Sequence, residues 1–320
     1  MSIFHLGVNA LILLLANPKA GYLKNKQSDG TLAQLHQILG NAGHIELTDN
    51  LQALEDTLHR YKHNPPTVLV PFGGDGTVSV VIGCAAKVWG ESNIPPIFPV
   101  HAGTMNMIAW DVYPNTPPLK AIAWLAANHQ QLQSHMGARY PIRTSTGQFG
   151  FVFGFGVTVN FMHAYYALGS GPWAAMKLIA NLAIGIILNR PSVKAMFATV
   201  RGQVQHNQGP KQAFSWHACL ALSIRCLPLR FRVSNSGGPN AQAHMCVLSG
   251  VPNKLALVLN LFNIWRGRMP ASVGIDRTSS QHLTFEFEEP TAWQLDGDLH
   301  PHTHQLEVRS APAVHFVEMK

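Results

Sequence analysis

Thr67-Val68-Leu69-Val70-Pro71 is followed, after Phe72, by Gly73-Gly74-Asp75-Gly76-Thr77 and then by Val78–Trp89. This stretch decides how the first half of the chain is read. An unbroken apolar run ending in glycines fits a strand buried on both faces. The segment after the glycines carries a helical pattern, so the order is strand, polar loop, helix. The same order recurs on either side. Upstream, the apolar run Ala10–Ala16 ends in Asn17-Pro18-Lys19-Ala20-Gly21 and precedes a helical pattern of Leu32, Leu35, Ile38 and Leu39. A short strand His44–Leu47 follows, and Thr48 and Asp49 offer N-cap oxygens for a helix running through Arg60. Downstream, a strand Ile97–Val100 runs into His101-Ala102-Gly103-Thr104-Met105-Asn106. Repeated strand–loop–helix units predict an α/β domain with a parallel sheet, whose ligands bind at the carboxyl ends of the strands.

Beyond about residue 138 the pattern changes. Arg139–Arg143, Phe149–Val159, Gln212–Ile224, Phe231–Val233, His244–Ser249, His282–Phe287 and Leu306–Arg309 read as strands, with a shorter one at Val273–Ile275. An apolar helical insert over 161–190 interrupts them, and Ser234–Asn240 is a Gly/Ser/Asn-rich loop. The expected division is 1–138 for the α/β domain and 139–310 for a mostly antiparallel β-domain. Residues 311–320 form a tail expected to return to the first domain.

Composition narrows the function classes. With 320 residues, 47% hydrophobic and 12% charged, the chain has ample material for packed cores and is too apolar for intrinsic disorder. Cys84, Cys219, Cys226 and Cys246 show neither CxxC pairing nor metal spacing, which fits reduced thiols in a cytoplasmic setting. Pro172–Leu188 holds Lys177 and Asn181, so it reads as a buried or membrane-contacting helix rather than a span. The net charge of +7 suits anionic partners. Lys and Arg are scattered, without a nucleic-acid-binding signature, so nucleic acid is not an expected partner.

The chemistry is expected in three glycine loops at strand ends: Asn17–Gly21, Gly73–Thr77 and Gly103–Asn106. Glycines let backbone amides approach an anion, and a helix N-terminus behind them adds positive potential. Asp75 in such a loop calls for a divalent cation between it and a phosphate, while Thr77, Thr104 and Asn106 supply neutral hydrogen bonds. His300, His302 and His304 alternate, but in a chain with 17 histidines a solvated strand face explains them.

In this ordered set of motifs the chain resembles the diacylglycerol kinase catalytic-domain family of lipid kinases, which includes sphingosine kinases and bacterial lipid kinases. The resemblance rests on Asn17–Gly21, Thr48, Gly73–Thr77, Gly103–Asn106, Gly154-Phe155-Gly156 and Asp296-Gly297-Asp298. It implies an N-terminal α/β domain of the phosphofructokinase/NAD kinase type and a C-terminal antiparallel β-sandwich. It also implies ATP and Mg²⁺ as cofactors, a lipid hydroxyl as acceptor, and a peripheral position at the inner, cytoplasmic membrane face. By this likeness Asn17, Gly21, Thr48, Gly73, Gly74, Asp75, Gly76, Thr77, Gly103, Thr104 and Asn106 line the nucleotide site. Asp296 is the expected base, Asp298 the supporting acid or metal contact, and Asp75 a catalytic metal ligand. Three positions depart from the family's acids: Met107, His135 and Thr158. Ala20 replaces a common Ser in the first loop. These departures motivate one alternative, a lipid-kinase-like nucleotide- or lipid-binding protein with weakened catalysis; a second is an NAD-kinase-like enzyme on a soluble acceptor, since NAD kinases carry loops similar to Gly73–Thr77.

Overall fold

The computed structural model describes residues 11–19, 21–25, 28–169, 171–232 and 242–319. Ala10, Ala20, Val233 and the Ser234–Asn240 loop lie outside them. The chain divides into two compact units, Met1–Ala138 with Ala313–Lys320, and Arg139–Pro312.

In the first unit, β1 (Ile12–Ala16) lies between β2 (Gly43–Leu47) and β3 (Val68–Phe72), parallel to both. Every residue of β1 and β3 is buried, which explains their continuous apolar runs. The helices are α1 (Gly21–Asn25), α2 (Ser28–Leu39), α3 (Leu51–Arg60), α4 (Asp75–Trp89), α5 (Met107–Val112) and α6 (Pro118–Asn128). Asn50 caps α3: its Oδ1 accepts from the Ala53 N–H at 2.9 Å. Thr48 and Asp49, expected as caps, instead lie in the loop leaving β2. Thr48 donates its backbone N–H to Ala16 and so continues the sheet by one residue.

The expected strand Ile97–Val100 contracts to single parallel bridges, Leu69–Ile97 and Ile97–Phe316. Pro96 and Pro99 flank the bridge and have no N–H to extend a ladder. Phe316 belongs to Val314–Val317, which also pairs with β4 (Met136–Arg139), so the C-terminal segment lies in the first unit's sheet layer. Phe98 stacks on Tyr113 at 5.2 Å and on Trp124 at 6.1 Å. His101 is buried edge-on to Trp110 and Tyr113.

The second unit carries a ten-stranded sheet and two further short strands. In chain order it contains β5 (Ile142–Thr144), β6 (Phe149–Gly150), β7 (Val152–Gly156), α7 (Val157–Ala167), α8 (Pro172–Ile187) and α9 (Pro191–Met196). Next come β8 (Val200–His206), β9 (Lys211–Trp216), β10 (Ala218–Leu222), β11 (Cys226–Leu227), β12 (Phe231–Arg232) and β13 (Met245–Gly250). The rest is α10 (Lys254–Leu259), α11 (Leu261–Trp265), β14 (Ile275–Ser280), β15 (His282–Leu295) and β16 (Asp298–Ser310).

The sandwich arises within one connected, antiparallel sheet. On one edge β15 pairs with β16; on the other it pairs with β8 over Leu283–Phe287 and with β7 over Trp293–Leu295. Irregular register between Glu286 and Trp293 lets the long hairpin serve both halves. Both halves turn aromatic side chains inward. Phe155 meets Phe285 at 5.3 Å, Phe287 at 5.2 Å and Phe214 at 5.9 Å, all edge-on or tilted.

Several predicted strands differ at their ends. Arg139–Arg143 is broken at Pro141, and Gln212–Ile224 divides at His217 into β9 and β10, which pair with different neighbours. Phe149–Val159 ends as a strand at Gly156. There a φ of +70° turns the chain into α7, and a Cβ would collide with the His217 carbonyl. Strand β8 and helices α10 and α11 have no counterpart in the sequence reading. Among the described residues no helix is long and apolar enough to cross a membrane.

Two outcomes follow. Gly156→Ala combines a disallowed φ with a backbone collision, so a loss of about 2–4 kcal/mol is expected in urea unfolding. Burial also pushes the His101 imidazole down to about 4 from its usual range. The unfolded chain therefore takes up this proton first as pH falls. The stabilisation is complete above about pH 6.5 and is lost between there and about pH 4, amounting to up to about 3 kcal/mol. Urea midpoints of wild type and His101→Phe, followed over that window, should converge in slope above it and differ within it.

Candidate functional site

The glycine loops of the first unit follow β1, β3 and the Ile97–Val100 segment, whose Ile97 bridges β3 in parallel. Gly73 and Gly74 leave β3, and Gly74 caps α4. A Cβ added to Gly103 would collide with the Gly74 backbone, so the second and third loops pass in direct backbone contact. A Cβ on Gly73 would collide with the Thr77 side chain. Glycine is thus required by close approach at these positions.

Asp75 ties the same two loops together electrostatically. It is 9% exposed, and its Oδ1 accepts the Ile108 N–H at 2.9 Å, in the first turn of α5. Burial pushes its carboxyl above the usual carboxylate range, while the Ile108, Met107 and Asn106 backbone N–H groups pull it back. The expected metal ligand is therefore a carboxylate that caps α5. Met107, standing where the family has an acid, is buried in that first turn.

Asn106 is also occupied. It adopts a left-handed backbone with φ of +52°, its Oδ1 accepts from the Gly103 N–H at 2.7 Å, and its Nδ2 donates to the Gly103 carbonyl at 2.8 Å. It closes the third loop on itself. Thr104 is exposed at the tip, and Gly76 and Thr77 are partly exposed in the first turn of α4.

The first loop is joined to the others by hydrogen bonds. Asn17 Oδ1 accepts from the Lys19 N–H at 2.9 Å, and Gly21 opens α1, whose Tyr22 N–H donates to Ala102 at 3.1 Å. Lys19 Nζ donates to the Asp49 carbonyl at 2.9 Å, across to the loop that holds buried Thr48. Sequence reasoning passed over Lys19, although its place inside the Asn17–Gly21 motif marked it. All eleven nucleotide-site candidates thus fall in one loop cluster of the first unit.

Asp296, Gly297 and Asp298 belong to the second unit, at the turn between β15 and β16. Leu295 pairs with Asp298, and Asp296 and Gly297 have φ of +51° and +96°, a two-residue hairpin turn. Asp296 Oδ1 accepts the Phe151 and Val152 N–H groups at 2.9 and 2.8 Å, which anchors the turn to the start of β7. Asp298 is exposed, and partial burial of its carboxyl raises its pKa, with nearby His300 pulling it down.

The turn rests on α7. Tyr166 donates its hydroxyl to the Gly297 carbonyl at 3.1 Å, and Gln294 Oε1 accepts the Gly297 N–H at 2.8 Å. Tyr166 and Gln294 were not singled out in the sequence; only contact with the Asp-Gly turn reveals them. Thr158, in the first turn of α7, donates to the Phe155 carbonyl at 3.1 Å. His135 packs edge-on against Trp124 at 5.2 Å in the first unit. His300 stacks on Trp293 at 3.9 Å.

The glycine cradle and the N-terminus of the 15-residue α4 fit a polyphosphate. Among the described residues no group of three His, Cys, Asp or Glu side chains could hold a metal ion. Asp75 is the one carboxylate among the candidate loop residues, and its Oδ1 is already taken by the Ile108 N–H, so a divalent ion would have to bring its remaining oxygen ligands with it.

Residues 11–137 match the family model of the diacylglycerol kinase catalytic domain. A search of curated proteins found no match. Among solved structures, a diacylglycerol kinase from Bacillus anthracis strain Sterne superposes with a TM-score of 0.66 at 13% identity, over 97% of each chain. A provisionally named diacylglycerol kinase from the same strain superposes with a TM-score of 0.71 at 13% identity, again over 97% of each chain. At such identity the superpositions speak for the shared two-unit fold alone. The family match attaches to the unit that holds the glycine loops.

Proposed function

We propose that the protein is an ATP- and Mg²⁺-dependent lipid kinase that transfers the γ-phosphate to a hydroxyl of a diacylglycerol, sphingoid or related lipid. The observation that carries this reading is the backbone-to-backbone seating of Gly74 against Gly103, locked by Asp75 and Asn106. That arrangement keeps side chains out of the space where phosphates approach the start of α4. Thr77 and Thr104 hydroxyls hydrogen-bond the phosphates, and Asn17 and Lys19 bound the first loop. Mg²⁺, bound with the nucleotide, neutralises phosphate charge.

In the transfer, the lipid hydroxyl oxygen bonds to the γ-phosphorus as the bond to the β,γ-bridging oxygen breaks, and the hydroxyl proton leaves to a carboxylate. Sequence reasoning assigned that base to Asp296. The geometry favours Asp298, because Asp296 already accepts two backbone amides, while Asp298 is exposed and partial burial of its carboxyl raises its pKa above the ordinary carboxylate value. Asp296 is then a positioning residue. The apolar segment 161–190 supports a lipid rather than a soluble acceptor.

A second reading is a lipid-kinase-like binding protein with weakened transfer. It is favoured by the capping role of Asp75 and by Met107, His135 and Thr158 in place of acids.

Transfer of labelled phosphate from ATP to a panel of lipids in mixed micelles tests the proposal. Lipid product establishes the kinase; metal-dependent ATP binding without any lipid product establishes the binding protein. In single-turnover kinetics Asp298→Asn is expected to slow transfer by roughly 10²–10⁴-fold. Asp296→Asn should act mainly on stability, by about 1–2 kcal/mol. A wild-type rate in Asp298→Asn removes it as the base. Gly103→Ala should push the two loops apart and weaken ATP binding by roughly tenfold or more at a cost of about 1–3 kcal/mol in stability. Unchanged ATP affinity in a folded Gly103→Ala protein would move the nucleotide away from these loops.

A further inference from the structure

The outward side of α8 in the second unit is apolar. Ala175, Leu178 and Gly185 face inward and are buried, whereas Trp173 is 81% exposed and Ile187 63% exposed. A helix on the surface of a soluble domain normally turns charged residues to water, so this helix is reversed in polarity. Helices α10 and α11 repeat the pattern, with Leu259 74% and Phe262 62% exposed. Segment 172–265 thus presents large apolar side chains from two neighbouring places, and α10 packs beside α8. Between these elements lies a groove of about 410 Å³, whose lining includes Ile186, Val193, Lys194, Val251, Lys254 and Leu255.

The charge around this face is predominantly positive, with exposed Asp276, paired with Ser249, as an acid near its edge. Between Asp111 and Asp276 the sequence contains no acidic residue at all. Lys177, Arg190, Lys194, Lys254, Arg266 and Arg268 lie on or beside these helices, and among the described residues none of them forms an ion pair. Two of these cations lie over aromatic rings: Lys254 Nζ is 5.1 Å from the Phe197 ring and the Arg266 guanidinium 4.8 Å from the Phe262 ring. Long cationic side chains lying along apolar surface, with exposed tryptophan, suit an interface between hydrocarbon and anionic headgroups.

We infer that the face formed by α8, α9 and α10–α11 docks on an anionic lipid bilayer, with apolar side chains entering the headgroup region and Lys194 and Lys254 meeting lipid phosphates at the groove. A second protein copy is the less suitable occupant, because the six cations of one face, none of them ion-paired among the described residues, would oppose the same six on the other. The inference deepens the kinase reading by naming the surface that would reach a bilayer-borne acceptor, but its observations are separate from the glycine loops.

The test is sedimentation of the full chain with phosphatidylcholine vesicles, with and without phosphatidylglycerol, in the absence of ATP. Binding is expected only with phosphatidylglycerol and should weaken as salt rises. Ile187→Asp with Phe262→Asp, and separately Lys194→Glu with Lys254→Glu, should each weaken binding by roughly tenfold or more. Both double variants should remain folded, losing no more than about 1 kcal/mol in urea unfolding for the ring contacts of Lys254 and Phe262. Equal vesicle binding by both double variants overturns the inference. So does absent vesicle binding by a wild type that forms a dimer which Ile187→Asp with Phe262→Asp dissolves. Since no turnover is read, a protein that binds vesicles but phosphorylates no lipid sinks the kinase reading alone.

Discussion

Everything proposed for the first unit depends on one contact: two glycine backbones, at Gly74 and Gly103, touching with no Cβ between them. Close packing of main chains leaves N–H groups unscreened by side chains, which is the physical requirement for seating a polyphosphate. The contact would be loose if nothing held the loops together. Asp75 holds them by accepting amides at the start of α5, and Asn106 holds the third loop by pairing both ways with Gly103. Two residues that look like ligands in the sequence are thereby framework. Burial of Asp75 is compatible with its carboxylate only because backbone N–H groups satisfy it.

The second unit solves a different problem. Its long β15–β16 hairpin must serve two halves of one sheet, and the irregular register near Thr291 allows the bend around the Phe155, Phe285 and Phe287 cluster. At the hairpin tip the positive φ of Asp296 and Gly297 is held by Phe151, Val152, Gln294 and Tyr166. This leaves Asp298, the first residue of β16, exposed and outside the anchored turn. Division of labour between paired acids follows from which of them the backbone has already claimed.

The apolar outward faces of α8, α10 and α11 carry no benefit for folding, since exposed hydrophobic side chains gain nothing from burial. They fall in a stretch of sequence, between Asp111 and Asp276, that contains no acidic residue, and this coincidence is what the docking inference rests on.

How much was legible in the sequence depended on whether a feature is local. The buried strands β1 and β3, the glycine loops at their ends and the change to a β-rich second unit were readable, because periodicity and glycine placement are chain-local properties. The cap of α3 shifted to Asn50, and Ile97–Val100 shrank to the two bridges of Ile97, because capping and pairing compete with neighbouring prolines and loop geometry. Strand β8 escaped because its pattern of Val, Gly and polar residues gains meaning only beside β15. The roles of Asp75, Asn106 and Asp296 were decided by tertiary structure alone. Each is set by which distant backbone amides reach the side chain, and no spacing within the chain records that.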